Sequence, residues 1–314
     1  MDNQALMALT GRDLWAMDEV HLREMFGLFP RLVGSLTAEE TEARMARQTK
    51  PTSVVVGRVA LLSVHGYISH RPSFFSALFG GAVTTALAAQ LRAAIADPEV
   101  DAVLMDISSP GGSVHGVEEL AREIRAAREV KTIVAVANAY AFSAAYYLAS
   151  QASELAVIPS GEVGSIGVLL VHADYSRALA DEGVTVTIIR AGKYKAEANP
   201  YEPLTDDAKA YEQTRVSEYY RMFVDSVAAG RNVTVETVEK TFGQGRIVGA
   251  TRAVELGMAD RVSTVEQEIQ RLAGRIAERK AIVVPAGAES DTGRAMTAET
   301  FAAIERERFR LEEA

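Results

Sequence analysis

Two short apolar runs separated by an amphipathic helical pattern constrain this chain more than any other feature. Ala102-Val103-Leu104-Met105-Asp106-Ile107 and Thr132-Ile133-Val134-Ala135-Val136-Ala137 are strand-length and almost continuously apolar, the pattern of strands covered on both faces. Between them Val117, Leu120, Ala121 and Ile124 share one helical face. Strand, crossover helix and second strand form the repeating unit of a parallel sheet flanked by helices. The alternation continues on both sides. Strand signals fall at 53–57 and 59–64, a helix at about 83–96, a helix near 143–151, and short strands at 155–158 and 168–171. A helix follows Tyr175, and Val184-Thr185-Val186-Thr187-Ile188-Ile189 reads as one more buried strand. A long helix over 206–229 and two shorter ones between 234 and 257 complete an α/β chain, whose active site is expected at strand ends.

The flanks differ in character. Residues 1–52 carry Leu14, Met17, Leu22, Met25 and Phe26 at helix-like spacing and are expected to form a helical N-terminal arm. The main domain is expected over 53–264. Residues 265–314 are expected to form a charged helical tail, with helices over 266–280 and 297–313 joined by a loop at 285–293.

Composition narrows the chemistry. The chain has no cysteine, which removes thiol nucleophiles, disulfides and iron-sulfur clusters, so covalent catalysis falls to an oxygen or an amine. A net charge of -9 argues against nucleic acid as a partner. No apolar run approaches the roughly 20 residues of a membrane span, and Asp2, Arg12, Asp13, Asp18, Glu19, Arg23 and Glu24 interrupt any secretory core, so a cytoplasmic location is expected. No metal and no cofactor are expected.

Candidate chemistry collects after the buried strands. Gly111 and Gly112 follow the first, where a glycine pair either makes a plain turn or lets backbone N–H groups approach a ligand. Ser143 follows the second at a helix start, the place of an N-cap or of a nucleophile whose oxyanion meets the helix N-terminus. Its base is either His172, with Asp174 close by, or Lys195, provided the lysine is screened from water.

Four ordered segments carry a resemblance that spans about 54–262. Ser109-Pro110-Gly111-Gly112, Ala141-Phe142-Ser143-Ala144-Ala145-Tyr146-Tyr147-Leu148-Ala149, Gly164-Ser165-Ile166-Gly167-Val168 and Gly192-Lys193-Tyr194-Lys195-Ala196 resemble the signal peptide peptidase A family of serine-lysine proteases. The resemblance implies a Clp-protease/crotonase-like fold with a stacked, largely parallel sheet, Ser143 as nucleophile and Lys195 as general base. It implies an oxyanion hole from Gly111 or Gly112 with the N–H of Ala144, and Ser165 as a residue that orients the lysine. It further implies a ring-like homo-oligomer in which the serine and lysine of one site come from neighbouring subunits. The Gly-Ser-Ile-Gly-Val segment, Val171-His172 and Asn199-Pro200-Tyr201 are most similar to the capsid-assembly proteases of tailed phages. Scaffold and capsid proteins are then the implied substrates, the host cytoplasm or the procapsid the implied location, and the charged tail a scaffold-like extension. Two other readings remain at this level: a crotonase-like acyl-CoA enzyme, and an assembly module without activity.

Overall fold

The computed structural model describes residues 14–32, 37–48, 54–72 and 74–283; the expected loop at 285–293 and helix at 297–313 lie outside them. The strands are β1 (Trp15–Met17), β2 (Val54–Val56), β3 (Val59–His65), β4 (Tyr67–Ser69), β5 (Gly81–Val83), β6 (Ala102–Ser109), β7 (Gly111–Ser113), β8 (Thr132–Phe142), β9 (Glu154–Val157), β10 (Glu162–Gly164), β11 (Ile247–Gly249) and β12 (Arg261–Val262). The helices are α1 (Glu19–Leu32), α2 (Ala38–Gln48), α3 (Phe74–Phe79), α4 (Thr84–Ala96), α5 (Val117–Ala127), α6 (Ala144–Ala149), α7 (Ser176–Asp181), α8 (Asp206–Arg231), α9 (Val235–Thr241), α10 (Ala250–Glu255) and α11 (Val265–Val283).

The apolar runs form the centre of the larger sheet, where β3, β6 and β8 are parallel neighbours and β2 closes one edge antiparallel to β3. Strand β8 is eleven residues long, and its far edge is shared. Val134 to Ala137 pair in parallel with β9, and Tyr140 to Phe142 pair in parallel with β10. Strand β12 extends β9, and β11 closes β10 antiparallel. A second sheet has the order β1-β7-β4-β5. The expected α/β class with stacked, largely parallel sheet and flanking helices is the one observed.

Side-chain alternation along the strands explains why both faces are covered. Leu62, Val103, Met105, Ile133 and Ala135 point into a core with Leu87 and Leu91 of α4 and Leu120 and Ile124 of α5. Their neighbours Val59, Ala102, Leu104, Val134 and Val136 point the other way, onto Val265, Ile269 and Leu272 of α11. The helix expected to begin a separate tail is therefore a cover of the sheet. Each of its three buried aliphatic side chains contributes about 2 kcal/mol.

The charges that suggested a solvated helix are instead engaged at its inner edge. Arg261 bonds Glu268 at 2.6 Å and Glu154 at 2.6 Å, Arg271 reaches both carboxylates at 2.7 Å, and Arg275 reaches Glu154 at 2.6 Å. Burial alone pushes these carboxyls up, but hydrogen bonds from the guanidinium groups outweigh it, holding Glu154 below the usual range and pulling Glu268 down to about 2. A depressed carboxyl stabilises the fold fully above its unfolded value and loses that contribution as pH falls through its folded value. Glu268→Gln is expected to cost about 3 kcal/mol at neutral pH. Urea midpoints should show the gap between variant and wild type closing as pH falls from about 4.5 to about 2.

Two other expectations are corrected. Val184 to Ile189 form no strand and are largely exposed, since among the described residues no strand pairs with them. The N-terminal arm is only partly helical, since Trp15–Met17 are paired in the smaller sheet before α1 begins. Among the described residues no helix is long and apolar enough to cross a membrane.

Candidate active site

Strand β8 ends at Phe142, and the chain turns sharply at Ser143 into α6. Ser143 has φ 52° and ψ -116°, a region that costs a non-glycine residue about 1–3 kcal/mol. The turn is held from three sides. Ser143 N–H donates to Gly164 O at 2.8 Å, Tyr147 N–H donates to Ser143 O at 2.9 Å, and the Ser143 hydroxyl donates to Gly167 O at 3.3 Å. Two of these acceptors, Gly164 O and Gly167 O, belong to the Gly164-Ser165-Ile166-Gly167 segment, which β10 delivers because Gly164 stands opposite Phe142 in the sheet. Ser143 is 0 % exposed, and Ala144 and Ala145 beside it are equally buried.

The serine is not a side-chain N-cap, since its hydroxyl accepts no bond from the first turn of α6. Ala144 is the first residue of that helix, so its N–H has no acceptor within the helix. The glycine pair approaches the same place. Gly111 has φ 96°, and a Cβ there would stand 3.0 Å from Phe142 O and 3.1 Å from Ala144 N. A Cβ on Gly112 would stand 1.9 Å from Ile68 O, so β4 leaves no space for a side chain. The two glycines differ in one respect that the sequence left open. Gly111 N–H donates to the Ser109 hydroxyl at 3.1 Å, whereas Gly112 stands opposite Ala16 of β1.

The candidate partners of the serine are dispersed. Lys195 lies in an exposed turn, its backbone N–H donating to Gly192 O at 3.1 Å. Among the described residues no hydrogen bond joins its side chain to Ser143. His172 is bonded to Asn199 O at 3.2 Å, and Asp174 accepts from Ser176 N–H at 2.8 Å, bonds to Ser176 that hold the carboxyl below the usual range. Both side chains are thus engaged by partners other than Ser143. Ser165 is buried at φ 53°, and its N–H donates to Arg246 O at 2.9 Å.

Sequence reasoning missed the N-terminal contribution. The residues Trp15 to Met17 border the glycine pair, and Asp18, bonded to His21 Nδ1 at 2.8 Å, caps α1. The His21 ring packs on Tyr140 and Phe142, at 5.3 and 5.9 Å between centroids, immediately before the serine. The Asp-x-x-His spacing after Trp-Ala-Met was the available signal, and it reads locally as a helix start rather than as part of a site. Among the described residues no group of three or more His, Asp or Glu is placed to hold a metal ion.

Comparison with known proteins bears on this arrangement. Residues 125–278 match Peptidase family S49. The chain is 34% identical over 234 residues to the capsid assembly protease C of Escherichia phage lambda, covering 72% of this chain and 53% of that protein. It is 34% identical to a head-tail preconnector protein of an Enterobacteria phage, covering 74% of this chain and 47% of that one. A putative protease of Synechocystis is 32% identical over 195 residues, which cover 60% of this chain and 70% of that protein. The chain thus spans about half the length of its two phage relatives.

Proposed function

The chain belongs to peptidase family S49, and from that premise we propose that it is a serine endopeptidase in which Ser143 is the nucleophile and Lys195 the general base. The observation that carries the reading is the Ser143 turn, a strained and enclosed serine at the start of a helix with a glycine strand against it. Ser143 Oγ attacks the scissile carbonyl carbon while Lys195 takes the hydroxyl proton and passes it to the leaving amine. The negative oxygen forms between the N–H groups of Ala144 and Gly112, Gly111 N–H being engaged by Ser109. Water then hydrolyses the acyl-enzyme ester. Ser165 is the residue we assign to orienting the lysine.

Assembly completes the site in this reading. Segment 184–189, rich in β-branched residues, belongs to no strand in the isolated chain and is largely exposed, Ile189 at 96%, which leaves it free to form an edge with a neighbouring copy. A neighbouring copy that covers this edge brings the exposed Lys195 turn of one chain toward Ser143 of another, and a lysine screened from water holds its proton less tightly. A homo-oligomer is therefore part of the proposal. The relative from phage lambda is named for capsid assembly, which supports scaffold or capsid proteins as substrates, in the procapsid or host cytoplasm.

A fluorophosphonate probe, which phosphonylates activated serines, should label one tryptic peptide, the one containing Ser143. Co-expressed head proteins should acquire new termini by mass spectrometry. Labelling elsewhere, or assembly with head proteins that keep all their termini intact, would falsify the protease reading.

A further inference from the structure

We propose that Leu14 to Asp18 lie in the peptide-binding groove of the protein's own active site in the register of a substrate, and that the Ala16–Met17 bond is a self-cleavage site. The proposal rests on the reading of Ser143 as nucleophile.

Strand β1 is bonded on both edges. Trp15 N–H donates to Leu169 O at 2.9 Å and Leu169 N–H donates to Trp15 O at 3.0 Å. On the other edge Asp18 N–H donates to Pro110 O at 2.9 Å and Val114 N–H donates to Leu14 O at 3.4 Å, flanking the Ala16↔Gly112 pair. Trp15 thus bonds one wall through a single bridge, and Leu14 and Asp18 bond the other, β7 side, the way an extended peptide is added to a strand edge. Both walls belong to the candidate site. One starts with the glycine pair, and the other follows two residues after Gly167, whose carbonyl accepts the Ser143 hydroxyl.

The register selects the bond. Antiparallel alternation directs the Ala16 carbonyl at Gly112 N–H, the donor left after Ser109 has engaged Gly111. A Cβ on Gly111 would stand 2.3 Å from Ala16 O and 3.1 Å from Ala144 N, so the carbonyl oxygen and the helix-start N–H flank a single point. The side chain agrees with this placement. Ala16 borders a small, largely apolar recess lined also by Val114, Val117, Glu118, Tyr147, Val168 and Phe223. Ala16 itself is buried, so a small side chain suits this position and a bulky aromatic one would have to displace the lining.

The segment is also firmly seated, with Leu14 and Ala16 buried and Trp15 packed against Tyr67 at 6.0 Å between ring centroids. Downstream of the bond, Asp18 caps α1 through Val20 N–H at 3.1 Å, and Leu22 and Met25 anchor that helix. Scission leaves this part of the fold in place. In the reaction Ser143 Oγ bonds to the Ala16 carbonyl carbon, the C–N bond to Met17 breaks, and the hydroxyl proton passes through the base to the Met17 amine. Water then releases the Ala16 carboxylate and restores the serine. Until that happens β1 excludes other peptides from the groove.

The test is the intact mass and N-terminal sequence of the full-length protein at concentrations where it is assembled, with β-casein cleavage measured on the same samples. The wild type is expected to begin at Met17, while Ser143→Ala and Ala16→Phe keep the residues before it, with circular dichroism confirming that both variants fold. Wild-type protein that cuts β-casein while its own Ala16–Met17 bond stays intact overturns the proposal and leaves the peptidase reading standing. Protein that cuts neither removes both. Self-cleavage that persists in Ala16→Phe overturns the register.

Discussion

Ser143→Ala is expected to lower kcat/KM for β-casein by about 10⁶-fold, the scale on which loss of a nucleophile is felt in serine proteases. The fold should hardly notice. What positions the turn is backbone bonding, Ser143 N–H to Gly164 O and Tyr147 N–H to Ser143 O, and both survive the substitution. The side chain contributes one bond to Gly167 O at 3.3 Å, worth about 1 kcal/mol. A urea midpoint close to wild type together with lost turnover would separate chemistry from stability. Residual activity within tenfold of wild type removes Ser143 as nucleophile, and an unchanged rate accompanied by coenzyme A binding would favour the crotonase-like alternative.

Lys195→Ala is expected to match that loss of activity while changing stability by less than about 0.5 kcal/mol, since the side chain is exposed in the isolated chain. The distinguishing result comes from mixing. If serine and lysine come from different chains, equal amounts of the Lys195→Ala and Ser143→Ala proteins, unfolded and reassembled together, regain about one quarter of wild-type activity, because random assortment pairs an intact serine with an intact lysine at that fraction of sites. Introducing Ile189→Asp into both proteins should abolish the recovery by charging the edge that the neighbour covers. A mixture that stays inactive places both residues in one chain. Full activity in Lys195→Ala with loss in His172→Ala would transfer the base to the histidine.

The parts of the fold that were legible in the sequence are those whose neighbours are dictated by their own pattern. Ala102–Ile107 and Thr132–Ala137 have no polar face to give to water, so a covered central sheet was the only place for them. The helix start after Ser143 was legible for the same local reason. Three features were hidden because they depend on distant residues. Leu14 and Met17 have the spacing of a helical face with Leu22 and Met25, yet pairing of Trp15–Met17 with Gly111–Ser113, nearly a hundred positions away, makes a strand there instead. The charges of α11 read as solvated because nothing local shows that Glu154 waits beneath Arg271 and Arg275. Val184–Ile189 carry a strand pattern, yet among the described residues no strand pairs with them and they form none, a tertiary outcome that the local pattern does not show.

The divided edge of β8 has a consequence for how such a chain can vary in length. Its first half is paired with β9 and its last three residues with β10, so the turn at 158–161 must return the chain with Gly164 opposite Phe142. One residue more or fewer between them would shift β10 by a full position and exchange its two faces. The carbonyls of Gly164 and Gly167 would then fall out of phase with Ser143 N–H and Oγ. Insertions in this stretch are therefore expected to disturb the site. The catalytic geometry is protected by a count of residues as much as by their identity.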